Sequence, residues 1–105
     1  MKQGEIYWAD DSVVGGRRPV VVLTRNAVVD LLNSVIVAPT TRSRWQLVTE
    51  VEAGPEHGLD HPCIISLDNI AKLDRSKLGR YIGVLDVDTL NAVYEAIHAV
   101  FDLTY

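Results

Sequence analysis

The chain has 105 residues, of which 48% are hydrophobic and 23% charged, so it can form one domain with one core and is not wholly disordered. Its single cysteine, Cys63, excludes an internal disulfide and a thiolate metal cluster, and no uncharged apolar run approaches the roughly 18 residues of a membrane-spanning helix. The net charge of -4 argues against a general nucleic-acid-binding protein, and an N-terminus without an apolar signal core predicts a cytoplasmic location.

The first third of the chain predicts three strands. Residues 5–9 are rich in aromatic and β-branched side chains, which favour a strand. The continuous apolar run 19–24 is typical of a strand buried on both faces, with Pro19 at its first position, where the missing N–H does least harm. A third strand is predicted over 34–38 and is expected to stop at Pro39.

The remaining strands follow a polar, basic loop. Alternation of apolar and polar residues predicts a strand with one solvent-facing side over 47–52. A long loop rich in Gly and Pro follows over 54–62. Three further short strands are predicted over 63–67, 69–73 and 80–85.

The last segment is predicted to be an amphipathic helix that begins after Asp86, a residue type that caps helices. Its apolar residues recur every three or four positions and form one stripe, comprising Leu90, Val93, Tyr94, Ile97, Val100 and Phe101. The pattern predicts one domain over 1–105, a small, mostly antiparallel barrel or curled sheet with a C-terminal helix.

Basic residues are concentrated in the middle of the chain. Residues 17–44 contain five arginines and a single acidic residue, Asp30. The planar guanidinium of arginine suits bidentate binding of phosphate. The distribution fits a phosphate-binding site, but five solvated surface arginines would give the same pattern.

Four sequence blocks follow one another along the chain: GEIYWAD at 4–10, RPVVVL at 18–23, VIVAPTT at 35–41 and IISLDNI at 64–70. In content and order they resemble the MazF/PemK (Kid) family of toxin endoribonucleases, and the resemblance covers nearly the whole chain. It implies an SH3-like, CcdB/Kid-type antiparallel β-barrel and a homodimer. It also implies metal-independent cleavage of single-stranded mRNA without a cofactor, and neutralisation by an acidic, disordered antitoxin of the MazE type.

Such cleavage uses the nucleophile that RNA itself carries. The 2′-OH attacks the phosphorus and the 5′ oxygen leaves, which produces a 2′,3′-cyclic phosphate. The reaction needs positive charge at the phosphoryl oxygens and a path for protons. The resemblance implies that Arg18, immediately before Pro19, is the catalytic arginine, and that Thr41 is the catalytic or phosphate-positioning threonine.

The resemblance also implies two carboxylates at the site, Asp68 and Glu5. Asp68 aligns with a carboxylate proposed as general base in the Kid branch, but Ser66 stands where that branch has the accompanying arginine. The segment 11–17 is short and lacks the Gly-Ser-Glu or Gly-His-Glu element of many members, which is typical of a compact branch.

Further residues are candidates for RNA binding. Arg17, Arg42 and Arg44 are expected to contact phosphates. Trp8 and Trp45 are candidates for stacking on unpaired bases, an interaction worth roughly 1–3 kcal/mol per base. A buried or interface position is an equally good interpretation for each tryptophan.

Two other groupings are weaker candidates. Glu56, His57, Asp60 and His61 resemble a metal-ligand cluster, but they lie in the Gly- and Pro-rich loop, where no fixed element is expected to orient them, so no metal site is predicted. Cys63 begins an apolar strand and is expected to be a buried thiol rather than a nucleophile.

Two alternative functions remain open. A CcdB-like poison of DNA gyrase has the same fold without an enzymatic activity, but the ending FDLTY at 101–105 does not match its C-terminus. A catalytically degenerate family member would bind RNA or the antitoxin without cutting, as Ser66 and the short 11–17 segment allow.

Overall fold

The computed structural model describes residues 1–103 and shows seven antiparallel strands followed by one helix. Thr104 and Tyr105, the end of the segment compared with CcdB, lie outside the described residues. The strands are β1 Glu5–Asp11, β2 Gly16–Val22, β3 Ser34–Thr41, β4 Glu50–Ala53, β5 Cys63–Ser66, β6 Ala71–Asp74 and β7 Leu78–Val84, and the helix is α1 Val87–Val100. The predicted class, mostly β with a C-terminal helix, is confirmed.

The strands form one sheet in the order β4-β5-β3-β2-β1-β7, and β6 pairs with β3 beside this path. All pairings are antiparallel within the described residues. The sheet packs around two clusters of buried side chains. Val21 belongs to the cluster beneath α1, and its neighbours Val20 and Val22 belong to the other. Successive strand residues point to opposite faces, so β2 is buried on both sides, as its sequence predicts.

Pro19 and Pro39 lie inside strands, and the predicted strand ends at these two residues are wrong. Pro19 is the fourth residue of β2 and pairs with Trp8, and Pro39 lies within β3 opposite Val20. An antiparallel ladder alternates between hydrogen-bonded and non-hydrogen-bonded pairs, so a residue without an N–H can occupy a strand interior without breaking the pairing. As a result β3 continues to Thr41.

The strand predicted over 47–52 is also wrong at its start, because β4 begins only at Glu50. The Glu50 carboxylate accepts hydrogen bonds from the backbone N–H groups of Trp45 and Leu47, both at 3.1 Å. These backbone groups are therefore satisfied by a side chain rather than by a neighbouring strand. Residues 42–48 form an exposed loop, and Val48 is 82% exposed.

The helix begins where it was predicted. The Asp86 side chain accepts a hydrogen bond from the N–H of Thr89, which is the expected N-cap contact. Val93 and Ala96 are the buried residues of the helix, whereas Tyr94 and Phe101 of the predicted stripe are exposed. The buried face is thus rotated slightly away from the predicted one. Within residues 1–103, no helix is long and apolar enough to cross a membrane.

Candidate active site

A cavity of about 580 Å³ lies where β2, the end of β3, β7 and the loop 54–62 meet. Its charged lining is mostly basic, with four arginines and one carboxylate: Arg17, Arg18, Arg42, Arg80 and Asp60. The chain as a whole carries a net charge of -4, so the positive charge is concentrated at this place. Such a concentration favours a ligand with several negative charges.

Arg18 is held at the cavity by the backbone. Its Nη1 donates to the carbonyl oxygen of Thr40 at 3.2 Å and its Nη2 to that of Gly15 at 2.8 Å. The third nitrogen, Nε, is buried and has no hydrogen-bond partner among the described residues. The two backbone contacts use only two of the five N–H donors of the guanidinium, and a phosphoryl oxygen is an acceptor that suits the others. Arg18 is therefore oriented and not saturated by its backbone contacts.

Gly15 makes room for this arginine. Its φ of +86° lies in the left-handed region, where a side chain is strained. A Cβ at this position would stand 3.0 Å from Nη2 and 3.1 Å from Cζ of Arg18. The glycine thus allows the guanidinium to lie directly against the turn between β1 and β2.

The two threonines at the end of β3 differ in environment. Thr40 is buried and its hydroxyl donates to the carbonyl oxygen of Pro19 at 2.7 Å. Thr41 is half-buried and its Oγ1 accepts the N–H of Ser43 at 3.2 Å. A hydroxyl that accepts one bond can still donate its proton to a ligand. Arg18 and Thr41 line the same cavity, so the structure brings the two principal residues of the sequence prediction together.

Three of the predicted RNA-binding residues line this cavity as well. The guanidinium of Arg17 lies over the Trp8 ring, 4.9 Å from its centroid, which is a cation–π contact. Nη2 of Arg42 lies 2.5 Å from Nε2 of His61, a residue of the loop 54–62.

The other two lie farther along the loop 42–48, outside the lining of the cavity. Arg44 forms an ion pair with Glu52. Trp45 is 77% exposed, so in this chain it is not a core residue.

The structure does not bring the two predicted carboxylates to the cavity. Glu5 lies four residues from Ala9, the partner of Arg18 in the ladder, which is about 13 Å along an extended strand. It accepts hydrogen bonds from the Tyr7 hydroxyl and the N–H of Lys2. Burial, together with the hydrogen bond to Glu5, raises the pKa of Tyr7 to about 12.

Asp68 lies in the turn after β5, at the far end of that strand from Cys63. It accepts a hydrogen bond of 2.5 Å from the Thr49 hydroxyl. Both Glu5 and Asp68 thus have local partners of their own outside the cavity lining, and a direct catalytic role for either remains an untested prediction.

The loop 54–62 forms one wall of the cavity and is held by tertiary contacts, contrary to the expectation that no fixed element orients it. His57 is buried, its Nδ1 accepts the N–H of Gly54 at 3.2 Å, and its Nε2 lies 2.7 Å from the Asp86 carboxylate. Because Nδ1 accepts, the neutral ring donates from Nε2 to Asp86. This side chain therefore connects the cavity wall to the N-cap of α1, a contact between residues distant in sequence that sequence reasoning missed.

The N-cap carboxylate is stabilised in its charged form by the same contacts. Hydrogen bonds from the Thr89 hydroxyl and from His57 hold the pKa of Asp86 well below its usual range. A carboxyl whose pKa is lowered by folding stabilises the protein above the usual carboxyl pKa. That stabilisation is lost as the pH falls through the lowered pKa.

A second contact that holds this loop in place involves Gly58, whose φ is +93°. A Cβ here would lie 2.5 Å from the carbonyl oxygen of Ile82 in β7, so only glycine allows this approach. The next residue, Leu59, is buried in the core. The loop is thus attached to β7, to α1 and to the core.

The histidines of this loop serve separate contacts rather than a common site. His57 faces Asp86 and His61 faces Arg42. Within residues 1–103, no three His, Cys, Asp or Glu side chains are grouped so as to hold a metal ion. Cys63 is half-buried and lines the cavity instead of lying fully in the core. Burial raises the pKa of its thiol, which disfavours the nucleophilic thiolate.

Comparisons with known proteins agree with this architecture. The curated protein "Probable endoribonuclease MazF2" of Mycobacterium tuberculosis is 36% identical over 100 residues, covering 94% of this chain and 96% of that protein. "Endoribonuclease MazF3" of the same species is 41% identical over 88 residues, covering 84% and 85%.

Solved structures have the same fold. The "Mycobacterium tuberculosis toxin MazF-mt6" superposes with a TM-score of 0.89 at 38% identity, covering 96% of this chain and 99% of that one. An "Endoribonuclease in complex with its cognate antitoxin from Mycobacterial species" superposes with a TM-score of 0.88 at 26% identity, covering 100% and 98%. The SH3-like, CcdB/Kid-type fold is thereby confirmed.

A family model described as "PemK-like, MazF-like toxin of type II toxin-antitoxin system" matches residues 2–101. The match spans all seven strands and the helix. The chain belongs to the PemK-like and MazF-like toxin family.

Proposed function

We propose that this chain is the toxin of a type II toxin–antitoxin system and that it cleaves single-stranded mRNA in the arginine-lined cavity. The observation that carries the assignment is Arg18, which two backbone carbonyls orient at the cavity that it shares with Thr41. Family membership and relatives named as endoribonucleases support the same conclusion and favour it over a gyrase poison.

The proposed reaction is transesterification within the RNA. The 2′-OH attacks the neighbouring phosphorus, the bond to the 5′ oxygen breaks, and a 2′,3′-cyclic phosphate and a 5′-OH remain. Arg18 stabilises the charge that develops on the phosphoryl oxygens, and the Thr41 hydroxyl donates to one of them. Arg17 and Arg42 bind the flanking phosphates. The nucleophile belongs to the substrate, so none of these steps needs a metal ion.

The same cavity accounts for the proposed partners. An acidic, disordered antitoxin segment of the MazE type would compete with RNA for the arginines, because both present several negative charges. The proposal includes a homodimer in the cytoplasm, where mRNA is available.

The purified protein is expected to cut a mixed-sequence single-stranded RNA pool in the presence of EDTA. The products should carry 2′,3′-cyclic phosphates and 5′-OH groups, which end-specific ligation and sequencing identify. A DNA pool of the same sequences is the control and should stay intact, since it lacks the nucleophile. Cleavage that requires a divalent cation, or products with 3′-OH ends, would contradict the mechanism. RNA binding without cleavage would identify a degenerate member.

Trp45→Ala is expected to weaken RNA binding by about 5- to 150-fold, the equivalent of roughly 1–3 kcal/mol for one stacked base. The indole is 77% exposed on the basic loop 42–48, so it can stack without rearrangement. The measurement is the Kd for 2′-O-methyl RNA, which keeps bases and phosphates but is not cut. Phe101→Ala, which removes an exposed aromatic side chain at the end of α1, is the control. An unchanged Kd for the Trp45 variant would remove this residue from the RNA path.

A further inference from the structure

We propose that His61 is the general base that removes the proton from the attacking 2′-OH. The inference rests on the proposed endoribonuclease function. It assigns to this function a proton acceptor, a role that the family resemblance implies for Asp68.

The composition of the cavity narrows the choice of base. The titratable and charged groups that face it are Arg17 and Arg18 from β2, Arg42 after β3, Asp60 and His61 from the loop, Cys63 from β5, and Arg80 and Tyr81 from β7. A guanidinium has no acceptor, and phenols and thiols ordinarily keep their protons at neutral pH. Burial raises the pKa of the Cys63 thiol further. Asp60 and His61 therefore remain as bases.

His61 is the better placed of these two because it contacts a phosphate-binding residue. Nη2 of Arg42 lies 2.5 Å from its Nε2 and 3.3 Å from its Nδ1. Arg42, which we assign to a flanking phosphate, directly follows Thr41, which we assign to the scissile one. The imidazole therefore stands beside the phosphate next to the cleaved bond. A base must lie within hydrogen-bond reach of the proton that it removes, so the proposal places the 2′-OH beside this imidazole.

The wall that carries His61 is fixed, which a proton-transfer group requires. Gly58 lies against the backbone of β7, Leu59 is buried, and His57 is hydrogen-bonded to Asp86. These three contacts precede His61 by only two to four residues. Catalytic side chains supported by such contacts keep their geometry better than those on free loops.

A guanidinium can only donate, so the contact with Arg42 requires an accepting nitrogen on the imidazole. A general base likewise needs one ring nitrogen that carries no proton. In the proposal Arg42 turns to a bound phosphate and leaves that nitrogen to the 2′-OH.

The step balances as follows. The O2′–H proton passes to Nε2 of His61, the O2′–P bond forms and the P–O5′ bond breaks. The departing O5′ takes a proton from solvent water, and the imidazolium returns its proton to solvent. No oxidant, reductant or metal enters the step.

The test compares His61→Gln with the wild-type protein under single-turnover conditions. Glutamine keeps an acceptor for Arg42 but cannot take a proton, so we expect the cleavage rate to fall by at least about 10²-fold. The Kd for 2′-O-methyl RNA should stay within about threefold, because the phosphate contacts remain. The control His98→Gln replaces an exposed histidine on α1 and should cleave at the wild-type rate.

Two further measurements separate proton transfer from positioning. The wild-type rate should decline as the pH falls from about 8 to about 5, the range in which imidazoles take up a proton, and the residual rate of His61→Gln should lack this decline. Free imidazole should restore part of the activity of His61→Ala.

Other outcomes would overturn the proposal. Wild-type cleavage rates in His61→Gln, or a defect confined to Kd, would make His61 a partner of Arg42 only. A loss in Asp60→Asn with full activity in His61→Gln would assign the base to Asp60. In each of these cases the wild-type protein still cuts RNA and the proposed function stands. A wild-type protein that cuts no RNA in the pool would refute the proposed function itself.

Discussion

Replacing Arg18 with alanine is expected to lower the RNA cleavage rate by at least about 10²-fold, because one preorganised donor to the charge of the transition state is removed. Thr41→Ala should cause a loss of similar size, since its hydroxyl is assigned to the same phosphoryl group. Single-turnover cleavage of the RNA pool measures both effects. If the double variant cuts RNA as fast as the wild type, the assigned site is wrong.

Two companion variants separate chemistry from stability at this position. Arg18→Lys keeps the charge but loses the planar fork that contacts the carbonyl oxygens of Gly15 and Thr40, so it should remain strongly impaired. Arg25→Ala removes an exposed arginine outside the cavity lining and should retain activity. Thermal unfolding of all variants shows whether the lost backbone contacts, worth about 1 kcal/mol each, account for any defect.

Gly83→Ala is expected to lower the free energy of unfolding by about 1–3 kcal/mol, the usual cost of forcing an extra methyl into a packed region. A Cβ at this position in β7 would stand 1.9 Å from the carbonyl oxygen of His57. The backbone of the loop 54–62 must therefore move away, and RNA cleavage should decline together with stability. For a domain of this size, a loss of 1 kcal/mol lowers Tm by roughly 4–8 °C.

Gly79→Ala is the matched control in the same strand. Its Cβ would meet the carbonyl oxygen of Trp8 at 3.5 Å, an ordinary contact distance. Calorimetry should show a Tm close to that of the wild type. Equal Tm values for the two alanine variants would contradict the close contact between the loop 54–62 and β7.

Local signals in the sequence were sufficient for much of the fold. The double-sided burial of β2 follows from its continuous apolar run, and the helix start follows from Asp86. The strand ends predicted at Pro19 and Pro39 were wrong because they were inferred from the missing N–H of proline. The sequence does not show which positions of the ladder need an N–H. The predicted start of β4 was wrong because the Glu50 carboxylate, rather than a neighbouring strand, accepts the N–H groups of Trp45 and Leu47. The residue pattern at 47–48 does not indicate this contact.

The candidate site was predictable where it follows a motif and not where it depends on tertiary contacts. The Arg-Pro pair and the Thr-Thr end of β3 pointed to Arg18 and Thr41, which line one cavity. A carboxylate that a motif implies can fold elsewhere, as Glu5 and Asp68 do. The sequence did not predict the position of the loop 54–62, because it depends on the contact between His57 and Asp86, which are 29 positions apart. The periodicity of apolar residues indicates only contacts between near neighbours in the sequence.

That contact makes the carboxylate of Asp86 common to two parts of the molecule. It caps the first turn of α1 and also accepts a hydrogen bond from Nε2 of His57 in the cavity wall. Local fluctuations break the hydrogen bonds of helix ends more often than those of a core. Fraying at this helix end therefore also loosens the wall of the arginine-lined cavity, so the two regions share one local opening equilibrium.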